Sequence, residues 1–287
     1  MIALLAALSL VVPTLRQAAA LMLAGLGGIF SERVGVVNIA LEGMMLAGAF
    51  TGIWVAQSHG LLAGAAAGVA CGAGIGLLHF LLTQRFRMNH IVSGVALNIL
   101  ALQTTTFLLR RAFNQADPPR DARVDALIPI DWFILFALLA PVLVHFALYH
   151  TTFGLRLRAV GERPESARMA GVNPMRLRLA GLLLSGAFGG VAGVYLSLSQ
   201  VGRFGDDMVS GRGFIALAAV ICGRWTPLGA AAAALVFGFF DALQLQLQGN
   251  VRVPGEFLRM MPYVFTILAA LALRPTPPAA LGKTDEE

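Results

Sequence analysis

Charge is scarce in this sequence. Asp, Glu, Lys and Arg make up only 13% of its 287 residues, about half the share that a soluble domain carries. A single water-soluble core of this length needs a charged shell that the composition does not supply, so an ordinary cytosolic enzyme is excluded. A mean hydropathy of +0.77 excludes a disordered chain as well. Cysteine is just as rare: Cys71 and Cys222 are the only two, both in apolar stretches. That excludes a disulfide scaffold, and no Cys/His cluster has the spacing of a zinc site. What is plentiful is apolar, at 57% of residues. The expected fold class is all-α, a polytopic transmembrane helical bundle of about 8–10 spans.

Catalytic patterns are missing too. The pairs Ser93-Gly94, Ser185-Gly186 and Ser210-Gly211 lack the Gly two places before the Ser that an intramembrane serine hydrolase would show, and no His-Glu-x-x-His occurs. Gly282-Lys283-Thr284 resembles the end of a phosphate loop, but the Gly required five places earlier is Pro277. Ionisable residues well inside the apolar segments are few: Glu42, Asp241, Arg16 and His145. His59, His79, His90 and His150 fall near segment ends, where interfacial histidine is expected. This scarcity counts against a proton-coupled secondary carrier, the alternative from a different class.

Apolar segments long enough to cross roughly 30 Å of hydrocarbon fall at 2–29, 35–57, 61–83, 91–109, 131–149, 178–200, 228–248 and 255–273. A shorter one, 213–223, has the length for a partial crossing. The first begins without a basic flank and is followed by no small-residue cleavage site, so it reads as a retained span rather than a signal peptide. The net charge of +6 comes from Arg in short loops, as the positive-inside rule expects, and does not indicate nucleic acid. The loop Gln84–His90 carries Arg85 and Arg87. The loop Thr151–Arg178 carries Arg156, Arg158, Arg163, Arg168, Arg176 and Arg178 against Glu162 and Glu165. Both are assigned to the cytoplasm, and the charge-balanced Arg110–Asp131 to the outside. Residues 1–273 then form the membrane domain, with an external N-terminus, and 274–287 a cytoplasmic tail.

Three runs stand out. In Ser31-Glu32-Arg33-Val34-Gly35-Val36-Val37-Asn38-Ile39-Ala40-Leu41-Glu42-Gly43-Met44-Met45, a charged turn leads into a span. On one helix Asn38 and Glu42 share a face, and Asn38 is the natural hydrogen-bonding neighbour of that carboxylate. In the basic loop, Pro164 opens a short helix, Glu165 suits its first turn, and Gly171 with Pro174 closes it. The third run is Gly211-Arg212-Gly213-Phe214 through Gly223-Arg224-Trp225-Thr226-Pro227. Besides these, Gly60, Gly64, Gly68, Gly72 and Gly76 recur every four residues and form a smooth strip on the third span. Tight packing of helix on helix is the simpler reading of the strip, a sliding interface the alternative.

These runs, in order and spacing, resemble permease subunits of bacterial ABC importers. The group is the one that handles branched-chain amino acids, simple sugars and nucleosides, and the nucleoside and simple-sugar branch is the nearest. The resemblance implies a permease of the inner membrane that is not itself an enzyme and binds no cofactor, ATP being used by a separate subunit. It implies a cytoplasmic ABC ATPase, a second homologous permease and an extracytoplasmic substrate-binding protein as partners. It also implies that the loop 151–177, with Gly161, Glu162, Ala167, Ala170 and Gly171, is the coupling helix seated in the ATPase. Nucleosides are the expected substrate, with ribose-like sugars or branched-chain amino acids as alternatives. A neutral polar solute wants amides and hydroxyls along its path. Asn38, Glu42, Asn98, Thr105, Asp241 and Gln244 are the candidates, with Gln103, Gln248, Ser197, Ser199 and Gln200 as further polar groups. Asn98 and Thr105 share a helix face, as do Asp241, Gln244 and Gln248. Each also has a plain role open to it, such as a bond back to its own helix.

Overall fold

The computed structural model describes residues 2–113, 130–247, 260, 264, 268 and 276–283. Ten α-helices appear among them: α1 Ile2–Glu32, α2 Leu41–His59, α3 Leu61–Phe80, α4 His90–Phe113, α5 Ile130–Tyr149, α6 Thr152–Glu162, α7 Pro164–Met169, α8 Pro174–Val194, α9 Arg212–Cys222 and α10 Pro227–Leu247. Widened π-helical turns extend α3 over Leu81–Arg85 and α8 over Tyr195–Val201. No strand occurs among the described residues. Six helices (α1, α3, α4, α5, α8 and α10) are long and apolar enough to cross a membrane. The 19-residue α2 packs among them. The all-α bundle is as expected. The expected span 255–273, residues 114–129 of the neutral loop, and Gln248 lie outside the described residues, apart from isolated positions of that span.

The tightest part of the bundle is the trio α2, α3 and α8, and the glycine strip is the reason. A Cβ on Gly64 would stand 2.4 Å from the Gly52 carbonyl oxygen, on Gly72 2.3 Å from that of Gly186, and on Gly76 2.2 Å from that of Leu182. Backbone therefore rests on backbone along three turns of α3. In lipid, where apolar burial drives little, close van der Waals contact is what holds helices together. Gly60 differs: nothing lies near it, and its φ of +85° makes the turn between α2 and α3.

Two elements differ from the sequence expectation, each for a local reason. The second span does not begin at residue 35. Gly35 has φ +93°, and the Asn38 carboxamide oxygen accepts from the Ala40 N–H at 3.0 Å, a local bond that competes with helix. The helix starts only at Leu41, so Asn38 and Glu42 do not share a helical face. The basic loop holds two helices, not one, because Thr151 caps α6 by accepting from the Gly154 N–H. The short segment expected at 213–223 forms α9 with 11 residues, about 16 Å of rise, half a bilayer.

Candidate functional site

The three sequence runs converge at one end of the bundle, where α1 ends and α6, α7 and the α9–α10 turn meet. Gly161 sits so close to the turn after α1 that a Cβ would be 2.1 Å from the Arg33 carbonyl oxygen. Arg33 donates through Nε to the Trp225 carbonyl at 2.7 Å and through Nη2 to the Tyr149 hydroxyl at 3.2 Å. The Tyr149 ring also carries the Arg158 guanidinium 4.6 Å from its centroid. Trp225 is buried and its indole N–H donates to the Glu32 carboxylate. Arg224 and Trp225 both have φ +54°. Two successive left-handed residues cost roughly 1–2 kcal/mol each, and the bonds to Trp225 at both its ring and its carbonyl offset that strain. Side chains from α1, α5, α6 and the α9–α10 turn are thus tied into one polar knot.

The helix α7 projects from this knot. It forms as expected: Pro164 at its start, Glu165 in its first turn, and Gly171 at φ +78° just beyond its end. The five expected coupling residues divide. Gly161 and Ala167 are buried against the bundle, while Ala170 and Gly171 are exposed at the tip. Glu162 is exposed, and its carboxylate accepts from the Ala279 N–H at 3.3 Å. Met169, not singled out from the sequence, is 83% exposed beside them. A cavity of about 520 Å³ opens next to α7, lined by Glu162, Arg163, Glu165, Arg168 and Lys283 among others.

The second group of expected residues lies deeper. Glu42, in the first turn of α2, accepts from the backbone N–H groups of Gly211 and Gly213, each at 2.6 Å. It therefore caps α9 from another helix, with its charge at the positive pole of that half-length helix. Arg212, between the two glycines that Glu42 bonds, donates through Nη1 to the Met208 and Val209 carbonyls, each at 3.2 Å. Sequence reasoning passed over Arg212. The signal available was an arginine between two glycines at the start of an apolar segment too short to span. Asp241 and Gln244 on α10 are half-buried and side by side.

Asn38 does not reach Glu42; it donates to the Ser185 hydroxyl at 2.7 Å. Asn98 accepts from the Gly43 N–H at 2.8 Å and donates to the Ile39 carbonyl at 2.9 Å. Thr105 donates to the Ala101 carbonyl of its own helix at 2.8 Å. Of the remaining polar groups, Gln103 is exposed, and Ser197 and Ser199 are buried.

The irregular stretch between α1 and α2 needs partners for its backbone, because lipid offers none. Two histidines provide them. His79 donates through Nε2 to the Val37 carbonyl at 3.0 Å, with its Nδ1 facing the Ser93 hydroxyl at 2.9 Å. The Val37 N–H donates to His90 Nδ1 at 3.4 Å. Both rings are buried in protein near the ends of α3 and α4 and are not the solvated groups that a span end would suggest. Arg178, counted from sequence as a loop charge, is likewise buried and donates to the Gln84 carboxamide oxygen at 2.8 Å.

A family model described as "Branched-chain amino acid transport system / permease component" matches residues 10–270. The chain belongs to this permease family. Among its relatives, a guanosine ABC transporter permease protein of Bacillus subtilis (NupQ) is 41% identical, covering 91% of each chain. A nucleoside ABC transporter permease protein of Lactococcus lactis (NupC) is 37% identical over 86% of each. A putative glucose ABC transporter permease protein of Haloferax volcanii (TsgC13) is 37% identical, over 82% of this chain and 76% of its own. As a permease of this family the chain is a transport subunit of an ABC system, multi-pass in the inner membrane, and not an enzyme. The knot is then the part of the permease from which α7 projects, and Glu42 meets the start of the short helix α9.

Proposed function

We propose that this permease is the membrane-spanning subunit of an ATP-driven importer of nucleosides, working by alternating access. The observation that carries the reading is its 41% identity, over 91% of each chain, to a guanosine permease. The chemistry at half depth is in keeping with it. The positive pole of an interrupted helix is where transporters hold a substrate carboxylate. Here that pole is already filled by Glu42, which favours a neutral solute over an amino-acid zwitterion. Asp241 and Gln244 line the path and Glu42 with Arg212 forms its constriction, while Asn38, Asn98 and Thr105 hold the surrounding frame.

The arginine-rich end faces the cytoplasm. There a separate ATPase hydrolyses ATP and receives the exposed tip Met169-Ala170-Gly171 in a groove, with Gly161, Glu162 and Ala167 setting the pose of that tip. This chain holds no cofactor of its own. A second homologous permease completes the pore, and an extracytoplasmic binding protein delivers the solute. The glucose-permease relative keeps a simple sugar as the second reading.

The test is reconstitution of the permease with its ATPase, sibling permease and binding protein in liposomes. ATP-dependent guanosine uptake, competed by other nucleosides and indifferent to leucine, is expected. Competition by ribose or glucose alone moves the substrate to sugars. Uptake by the lone chain that ignores ATP and collapses with an uncoupler overturns the importer altogether.

A further inference from the structure

Residues 276–283 lie against the knot, although nothing in the sequence marks them as part of it. The Ala280 N–H donates to the Gly161 carbonyl at 2.9 Å and the Gly282 N–H to the Gly35 carbonyl at 3.0 Å. The Ala279 N–H donates to the Glu162 carboxylate at 3.3 Å. Pro278 and Ala280 are buried, and Leu281 packs against the main apolar core. Gly282 takes φ +77°, with Val37 beneath it. An eight-residue segment held by three backbone donors and an apolar anchor is a built contact, not a trailing end. Two of its partners, Gly161 and Glu162, end α6 just before α7. The third, Gly35, begins the irregular stretch that leads into α2 and Glu42.

We propose that residues 276–283 act as a strap that joins the coupling element to the α1–α2 turn, so that displacement of α7 is carried into α2. The proposal rests on the ABC-importer reading. Without the strap, α6 is joined to that turn by the Gly161–Arg33 approach, which resists pushing only, and by the indirect Arg158–Tyr149–Arg33 contacts. Hydrogen bonds from the strap to both sides resist separation as well. Glu162 serves in this as a positioning residue that anchors the strap.

The test inserts a specific protease site between residues 275 and 276 in the full chain, so that the assembled transporter folds with the strap intact and is cut afterwards. Cutting removes the tether and lets the short segment dissociate. The ATPase is expected to stay bound, while guanosine moved per ATP falls about fivefold or more, the low end of a typical coupling between sites. Stimulation of ATP hydrolysis by the loaded binding protein should be lost with it. An uncut variant, Gly282→Val, strains the left-handed position and should lower the same ratio about twofold, as for loss of one hydrogen bond. An unchanged ratio after cutting overturns the strap. So does release of the ATPase on cutting, which makes the segment part of the ATPase seat. An uncut complex that moves neither guanosine nor a simple sugar with ATP overturns the importer reading and the strap with it, and is seen before protease is added.

Discussion

The knot at the arginine-rich end and the Glu42 contact at half depth are both interhelical polar junctions, and they are built in opposite ways. The knot is redundant: Arg33, Glu32, Trp225, Tyr149 and Arg158 hold one another through several bonds and a ring contact. Breaking one bond leaves the others in place. The deep junction has a single acceptor, the Glu42 carboxylate, on which both the Gly211 and Gly213 N–H groups depend. A redundant junction transmits force as a rigid body, whereas a junction with one acceptor has a natural place to open. On the proposed reading, this permease thus combines a stiff handle with a pathway hinge that a single side chain controls.

The comparison is broken most completely by removing the handle's rigidity at its closest approach. Gly161→Leu places side-chain atoms where the Arg33 carbonyl now stands and must drive α6 away from the α1 turn. Overpacking of this kind costs about 1–3 kcal/mol. Guanosine uptake in reconstituted vesicles is expected to fall more than about tenfold, while the chain still inserts in the membrane. Next in size is Glu42→Gln, which keeps the shape but removes the charge and leaves one carboxamide oxygen for two donors. Bonds to a charged group contribute about 1.5–3 kcal/mol, so a loss on that order is expected in detergent unfolding. Glu42→Ala should lose more. If either leaves both stability and uptake unchanged, the hinge is not at Glu42.

Much of the handle was legible in sequence because its parts are turn and cap residues with strong local rules. Pro164, Glu165, Gly171 and Pro174 delimit α7 whatever surrounds them, and the glycines every fourth residue forecast a packed face on α3. The region around Glu42 was less legible because the chain is interrupted between α1 and α2. Apart from Asn38 and Glu42 no polar side chain interrupts Gly35 through Met45, so hydropathy alone gave one span and one shared face for those two residues. The φ of Gly35 and the side-chain turn of Asn38 end that continuity. The burial of His79 and His90 was hidden for a related reason: backbone freed by the interruption needed a donor and an acceptor, and these came from α3 and α4. The strap was illegible, since it acts through main-chain N–H groups that no side-chain pattern marks.

Smaller effects sharpen the same contrast. His79→Phe keeps the ring volume but leaves the Val37 carbonyl without its donor. An unsatisfied buried group costs about 1–3 kcal/mol, and faster hydrogen exchange around residues 36–40 is the readout. If exchange there is unaltered, the histidine is not what holds the interrupted backbone. At the bottom of the scale is Thr105→Val. The Thr105 hydroxyl is spent on the Ala101 carbonyl of its own helix, whose own helical bond does not depend on it. Stability should shift by no more than about 0.5 kcal/mol, and guanosine affinity not at all. A several-fold rise in the guanosine concentration needed for half-maximal uptake would mean that the hydroxyl turns toward the solute during the cycle. The pathway would then extend into α4, and control of it would no longer belong to the Glu42 junction alone.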